Sequence, residues 1–302
     1  MAVALVGSPG DPQLSRVAGA LERLGSAHFV LDAATFPGET RLAFGFEGLS
    51  IAGRLTPLPH AAYVRGLACH PLMPSLAELL EQRPRRVIAA MEEKRALLES
   101  LLLDWESQGV RLVNSPAANA QHSRKPLQLA MLERAGLPVP RWLASNDPAT
   151  LRAFTKEVGA TVYKPLAGGA TVRLVETEDL LPQRMEHLAA APVLFQQFIE
   201  GTSVRAYAID GEVVGAAEIH SPEVDYRREE GEVVPTELTP EEAAIAISAA
   251  RICGMPFSGV DLIRTPDKTW LLECNPSPMF AVFEDKTGID VATPLAALLA
   301  RT

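Results

Sequence analysis

The chain has 302 residues, 47% of them hydrophobic, and a formal net charge of −9. That length and apolar content can bury a large core divided into lobes, and the acidic balance opposes non-specific attraction to nucleic-acid phosphates. Cys69, Cys253 and Cys274 are widely spaced and form no CxxC pair, which argues against a disulfide framework or a zinc site and suits a reducing cytoplasm.

The apolar run after Met1 is too short for a signal h-region, and no stretch of about 18 apolar residues follows, so neither secretion nor membrane insertion is expected. Residues 3–6 read as a buried strand. The turn Gly7-Ser8-Pro9-Gly10-Asp11-Pro12 and an amphipathic helix over 13–24 come next, making one α/β unit. Further strands are expected at 28–31, 61–65 and 111–113, with apolar residues at helical spacing over 85–106. The early glycine turn lacks the full GxGxxG order of a dinucleotide site. The first 115 or so residues therefore read as an open α/β lobe.

A second region opens near Ser123 with a helix to about Ala135. Asp147 followed by Pro148 predicts an N-cap and first helical residue. A strand over 161–163 leads to Lys164, the glycine turn Gly168-Gly169 and a strand over 171–175, an order that suggests a hairpin lid. From Val193 onward strands dominate, at 193–198, 204–209, 213–219, 258–263 and 270–274, with one helix over 240–253. Asp210-Gly211 is the strongest hairpin signal in the chain.

Chemistry concentrates near the C-terminus. Glu273 and Asn275 lie two residues apart on one strand and so face the same side, where Asp261 from a neighbouring strand can join them. Hard oxygen ligands of this kind suit Mg²⁺, which commonly takes one or two carboxylates together with substrate phosphates. Lys164, ending a strand before a glycine turn, and Lys125, opening a helix, supply opposite charge. Each lysine or carboxylate taken alone is more often a solvated surface group; the spacing of the set is what carries the reading.

Lys125, Val162-Tyr163-Lys164-Pro165-Leu166, Phe195-Gln196-Gln197-Phe198-Ile199-Glu200-Gly201, Arg205, Asp261 and Glu273-Cys274-Asn275-Pro276-Ser277-Pro278 resemble the ordered motifs of ATP-grasp ligases. The similarity runs from about Val113 to the end. It is nearest to the ribosomal-protein glutamate ligase and, more closely, to the graspetide ligases of the microviridin type, with Pro140-Arg141-Trp142, Val224-Asp225-Tyr226-Arg227 and Lys286-Thr287-Gly288 as further likenesses and Phe36-Pro37 as a weaker one.

The resemblance implies an α/β (α+β) ATP-grasp fold with an N-terminal α/β domain over 1–115, a central lid subdomain over 116–192 and a C-terminal subdomain over 193–302, ATP lying between the last two. It implies that Lys125 and Lys164 hold phosphates, with Gly168 and Gly169 in the lid. Gln196, Gln197, Phe198 and Ile199 form the hinge at the adenine edge, and Glu200 and Ser203 stand near the ribose. Asp261, Glu273 and Asn275 bind Mg²⁺, two ions in the usual case, with Mn²⁺ as a substitute. Arg205 contacts the transferred phosphate, and Arg227 clamps a substrate carboxylate. Ser203 stands where many relatives place an acid, and Met279-Phe280 replaces a frequent Gly-Leu.

The implied reaction converts a carboxylate to an acyl phosphate and passes it to an amine or hydroxyl. The acceptor-side base is left open between His220 and Asp225. Three functions are expected in descending order: a ligase that modifies or cross-links a ribosomal precursor peptide, an amino-acid or glutamate ligase acting on a small molecule or protein tail, and an ATP-binding sensor without turnover. A homodimer and no nucleic-acid partner complete the expectations.

Overall fold

The computed structural model describes residues 2–70, 73–167, 172–220 and 231–302. The chain forms two compact units, one comprising Met1–Pro116 with Ala292–Thr302 and the other Ala117–Val291.

In the first unit, β1 (Val3–Gly7) is buried along its whole length. Asp11 then caps α1 (Pro12–Arg23), accepting from the Gln13 and Leu14 amides at 2.8 and 3.3 Å, which satisfies donors that a helix start leaves unpaired. β2 (His28–Asp32), a small antiparallel meander of β3 (Leu42–Gly45), β4 (Gly48–Ile51) and β5 (Arg54–Thr56), and β6 (Ala61–Val64) follow. No sequence pattern announces the meander. Its β4–β5 turn is Ala52-Gly53 with φ of 50° and 77°, the doubly left-handed geometry that matches strand twist in a hairpin.

After α2 (Ala77–Gln82), α3 (Pro84–Ser107) runs beside the sheet, and β7 (Arg111–Val113) completes a parallel sheet in the order β2-β1-β6-β7. Leu98, Leu101, Leu102 and Trp105 of α3 bury against Ala4, Val6, Leu31 and Ala62 of the sheet. Full burial of each leucine contributes about 1.5–3 kcal/mol.

The second unit opens with α4 (Pro116–Ala120) and α5 (Lys125–Arg134). Next come β8 (Trp142–Ser145), α6 (Pro148–Val158), β9 (Thr161–Lys164), β10 (Arg173–Leu174), α7 (Pro182–Met185) and β11 (Val193–Gln197). The expected cap is present: Asp147 accepts from the Ala149 and Thr150 amides, and Pro148 is the first helical residue. The four strands form an antiparallel sheet ordered β10-β9-β11-β8. Leu151 and Phe154 of α6 pack with Phe195 and the partly buried Tyr163 and Leu143 on one of its faces. Gly168 and Gly169 of the expected lid turn lie outside the described residues.

A five-stranded antiparallel sheet follows, ordered β14-β13-β12-β15-β16 and built from β12 (Thr202–Ile209), β13 (Glu212–His220), β14 (Glu232–Pro235), β15 (Phe257–Arg264) and β16 (Thr269–Asn275). Asp210-Gly211 joins β12 to β13 with φ of 48° and 88°, as the hairpin signal predicts. α8 (Pro240–Ile252) covers one face, Ile245, Ala246, Ala249 and Ala250 packing on Val204, Ala206, Val260, Leu262, Leu271 and Cys274. A capping box of Thr239 and Glu242 starts this helix, and buried Glu242 accepts from Arg264 Nε at 2.7 Å and Thr269 Oγ1 at 3.0 Å. α9 (Ala281–Thr287) ends at Gly288 in the left-handed region, φ 72°, a conformation that glycine adopts without a Cβ penalty.

The chain's last helix, α10 (Ala292–Ala300), falls within the expected C-terminal subdomain over 193–302. The structure places it in the first unit, where Arg23 Nη2 donates to Thr293 Oγ1 at 3.4 Å and Arg111 Nη1 donates to the carbonyls of Leu298 and Arg301 at 3.0 and 2.9 Å. An apolar helix must bury its surface, and α10 does so with Leu295, Ala296 and Leu299, all fully buried. No helix among the described residues is long and apolar enough to cross a membrane.

Candidate active site

The alternation of β12, β15 and β16 decides which side chains face away from α8. Val204, Ala206, Val260 and Leu262 belong to the core under α8, so Ser203, Arg205 and Tyr207 on β12 and Gly259 and Asp261 on β15 face the opposite side. On β16, Leu271 and Cys274 both lie in that core although they are three positions apart. The discontinuity is a β-bulge: Asp261 pairs with Glu273 and Leu262 with Leu271, leaving Leu272 without an opposing residue. The extra residue reverses the phase of the strand. Without it Glu273 and Asn275 would share the face of Leu271 and point at α8; with it they join Asp261 and Arg205.

Asp261 and Glu273 sit directly opposite each other. Arg205 grips Asp261 with both arms of its guanidinium, Nη2 to Oδ2 at 2.8 Å and Nε to Oδ1, and Lys125 Nζ donates to Glu273 Oε2. All four side chains are largely enclosed, with 13–15% exposure for Asp261, Arg205 and Lys125 and 26% for Glu273. Burial pushes the Glu273 carboxyl up, but the ammonium charges of Lys125 and Lys164 and the Arg205 guanidinium outweigh it and hold the group at about 2. For Asp261 burial and the adjacent Glu273 charge prevail over Arg205, and its carboxyl is raised. Two carboxylates forced together thus separate into one firmly ionised and one more easily protonated.

Lys164 is 7% exposed at the end of β9, and its charge reaches Glu273. It pairs with Leu194, as Val162 does with Gln196, so Lys164 and Gln196 share the face of the four-stranded sheet turned away from α6. Gln196 is buried, and its Nε2 has no hydrogen-bond partner among the described residues, a donor that buried amides rarely leave unused. At the end of β11, the Gln197 and Phe198 amides donate to the carbonyls of Arg141 at 2.8 Å and Ala160 at 2.9 Å. Those two N–H groups are committed to the fold. Ile199 is half-buried and Glu200 exposed on the way to β12. Asn275 Oδ1 accepts from the Ser277 amide at 3.0 Å, making an Asx turn through Pro276. Arg227 and Asp225 lie outside the described residues, and His220, at the end of β13, contacts Glu218 at 3.2 Å.

Three contributors had no place in the sequence reading. Tyr207 faces the site side of β12 and donates its hydroxyl to the Met279 carbonyl at 2.6 Å, tying down the loop after Asn275; burial pushes its phenol up to about 12. Gly259 lies so close to that loop that a Cβ would stand 2.7 Å from Pro278 Cβ and 3.2 Å from Arg205 Nη1. Gln128, one helical turn after Lys125, is buried against the main chain of Cys274. Only the i, i+3 spacing of Lys125 and Gln128 hinted at a shared face.

The pattern of the RimK-like ATP-grasp domain matches residues 122–299. A probable alpha-L-glutamate ligase of Methanococcoides burtonii is 31% identical over 205 residues, 64% of this chain and 68% of that protein. Among solved structures, the ATP-grasp ligase PsnB complexed with a phosphomimetic variant of its minimal precursor, Mg and ADP superposes with a TM-score of 0.90 at 36% identity, covering 98% of this chain and 97% of the other. The macrocyclase MdnC of Microcystis aeruginosa, bound with its precursor peptide MdnA, shares the fold over the full length of both chains, with a TM-score of 0.81 at 22% identity. A domain match over more than half of the chain, joined to end-to-end similarity with a solved ligase, makes this chain a member of the RimK-like ATP-grasp family, an ATP-dependent, ADP-forming ligase.

Proposed function

We propose that this ligase uses ATP to activate a side-chain carboxylate of a precursor peptide and joins it to a hydroxyl or amine of the same peptide. The observation that carries this reading is the 36% identity with PsnB across nearly all of both chains, whereas the glutamate ligase matches 64% of this one. A peptide substrate engages more of an enzyme than a free amino acid does, and similarity that includes the first unit favours the larger substrate.

The residues fit a nucleotide with its cation. Among the described residues no group of three or more His, Cys, Asp or Glu side chains forms a metal cluster. Asp261, Glu273 and Asn275 would hold a cation with two carboxylates and an amide oxygen, a donor set that suits Mg²⁺ alongside substrate phosphates. Two Mg²⁺ ions, replaceable by Mn²⁺, belong to this reading. The unpaired Nε2 of Gln196, on the same sheet face as Lys164, offers a donor to the nucleotide. Bound MgATP supplies the phosphoryl group that turns the carboxylate oxygen into a leaving group.

The protein's own contribution is positioning and charge. Lys125 and Lys164 neutralise phosphate oxygens, and Arg205 presents a planar fork suited to a phosphoryl or acyl-phosphate group. Lys125 pairs with Glu273 and Arg205 with Asp261, which holds these two cations in place. Enclosure of these groups limits water that would otherwise hydrolyse the activated acyl group.

Co-expression with short precursor peptides encoded nearby, followed by mass spectrometry, tests the proposal: the expected product loses the mass of one water for each linkage. Glu273→Gln abolishes that loss while leaving the fold intact. Unmodified peptides together with ADP release stimulated by free glutamate would instead establish the second reading, supported by the glutamate ligase relatives, in which an amino acid is added to a small molecule or protein tail.

A further inference from the structure

We propose that Gln128 is a positioning residue for the metal-binding strand, clamping the backbone of Cys274 so that Glu273 and Asn275 hold their aim. The inference rests on the reading of those two residues as metal ligands. β16 is an edge strand of its sheet, and the outward N–H and C=O of Cys274 have no neighbouring strand to pair with. Gln128 takes the place of that strand: its Oε1 accepts from the Cys274 amide at 2.8 Å, and its Nε2 donates to the Cys274 carbonyl at 2.9 Å. Both ends of one side-chain amide thus bind one residue of main chain.

Two bonds to a single residue restrict rotation of the strand about its own axis, which one bond cannot do. Glu273 and Asn275 flank Cys274 on either side, so any twist at Cys274 swings both. The need is local. The bulge at Leu272 interrupts the ladder immediately before Glu273, which is where an edge strand is most easily deformed. Elsewhere β16 is already held: the Leu271 amide donates to the Pro138 carbonyl at 2.9 Å, and Ser258 Oγ donates to the Asn275 carbonyl at 3.3 Å. Gln128 is 2% exposed, and its terminal amide presents an acceptor and a donor side by side at the end of a flexible stem. Lys125, on the same face of α5, meets the Glu273 carboxylate directly, so one helix sets both the charge and the orientation of the ligand strand.

The test compares Gln128→Met with Gln121→Met in the full chain. Gln121 is also buried, and its Nε2 donates at 2.7 Å to the carbonyl of Cys253 at the end of α8; Cys253 shares the core with Cys274, so a general loosening of that core appears in both variants, whereas loss of a bond to the ligand strand's main chain occurs only in Gln128→Met. Calorimetry with ADP alone and with ADP plus Mg²⁺ reads the gain in affinity that the metal confers, alongside the thermal midpoint of each variant. Loss of an outer-shell partner typically weakens metal binding 10- to 100-fold, so Gln128→Met is expected to cut the metal-dependent gain by about 10-fold. Gln121→Met keeps the wild-type gain despite a comparable fall in midpoint. An unchanged gain in Gln128→Met, or an equal loss in Gln121→Met, overturns the proposal.

Glu273→Gln, measured in parallel, separates the two levels. If it retains the wild-type gain, the metal-site assignment is wrong; if it loses the gain while Gln128→Met keeps it, only the role of Gln128 falls. Should Gln128→Met fail to fold, amide hydrogen exchange of the wild-type protein decides. Protection of the Cys274 amide comparable to that of the paired β15 amides supports the clamp, and exchange as fast as that of exposed loop amides refutes it.

Discussion

Replacing Glu242 with glutamine isolates the charge that fastens α8 beneath the site. Glu242 is 3% exposed and accepts from Arg264 Nε at 2.7 Å, Arg264 Nη2 at 3.1 Å, Thr269 Oγ1 at 3.0 Å and the Thr239 amide at 2.9 Å. Arg264 stands three residues from Asp261 on the same strand, so this anchor holds the sheet that carries Asp261 and Glu273. Burial pushes the Glu242 carboxyl up, but these donors and the Arg264 charge hold it at about 2 against an ordinary 4.5. At about 1.4 kcal/mol per pH unit such a depression corresponds to roughly 3 kcal/mol, which the 28% exposure of Arg264 reduces to about 2 kcal/mol through solvent screening.

Glutamine keeps the size and the capping-box acceptor, so the difference reports the charge. A depressed carboxylate stabilises the fold fully above its unfolded value of 4.5, and that stability is lost as pH falls through about 2. Urea unfolding should therefore find Glu242→Gln about 2 kcal/mol less stable than wild type at neutral pH, with the gap narrowing steadily from pH 4.5 toward pH 2. A gap of the same size at pH 3 and pH 7 would refute the reasoning.

Other substitutions probe the site itself. Gly259→Ala places a methyl group against Pro278 and Arg205, an overpacking expected to cost about 1–3 kcal/mol. It should lower kcat more than it raises KM for ATP, and steady-state kinetics with wild-type values would show that the close approach is unimportant. Lys164→Met removes a cation whose field reaches Glu273; kcat for ADP release should fall by at least about 100-fold, the scale of a lost electrostatic contact to the transferring group. Near-normal turnover would place Lys164 outside the phosphate path. Leu151→Ala, at a fully buried position under the four-stranded sheet, should cost about 2–5 kcal/mol, and a thermal midpoint equal to that of wild type would contradict the packing described.

The helices and strands that carry the site were legible in the sequence because their signals are local. Asp147-Pro148 announces a helix, Asp210-Gly211 a hairpin, and the apolar runs of β12, β13 and β15 announce buried strands. The two-residue separation of Glu273 and Asn275 places them on one face whatever the partner strand. Position singled out Lys164 before a glycine turn and Lys125 at a helix start, but the family motifs supplied their phosphate-binding role and Arg205, since nothing in the periodicity of a single lysine tells it from a solvated one. The meander of β3, β4 and β5 escaped because its strands are only three or four residues long, too short for an alternation to register.

Which face Glu273 and Asn275 would occupy was not written in β16 alone. Alternation counted back from Leu271 assigns them to the core, and only pairing with β15 reveals that Leu272 is the extra residue and that the phase turns over. The contacts of Arg205 with Asp261, of Lys125 with Glu273 and of Gln128 with Cys274 join residues 56, 148 and 146 positions apart, separations at which no local propensity acts. The same holds for α10, whose apolar composition demands burial but names no partner; packing against α1 chose the first unit. Local pattern thus sets what each segment is, while strand register and the burial of apolar faces, which depend on distant segments, set where its side chains point.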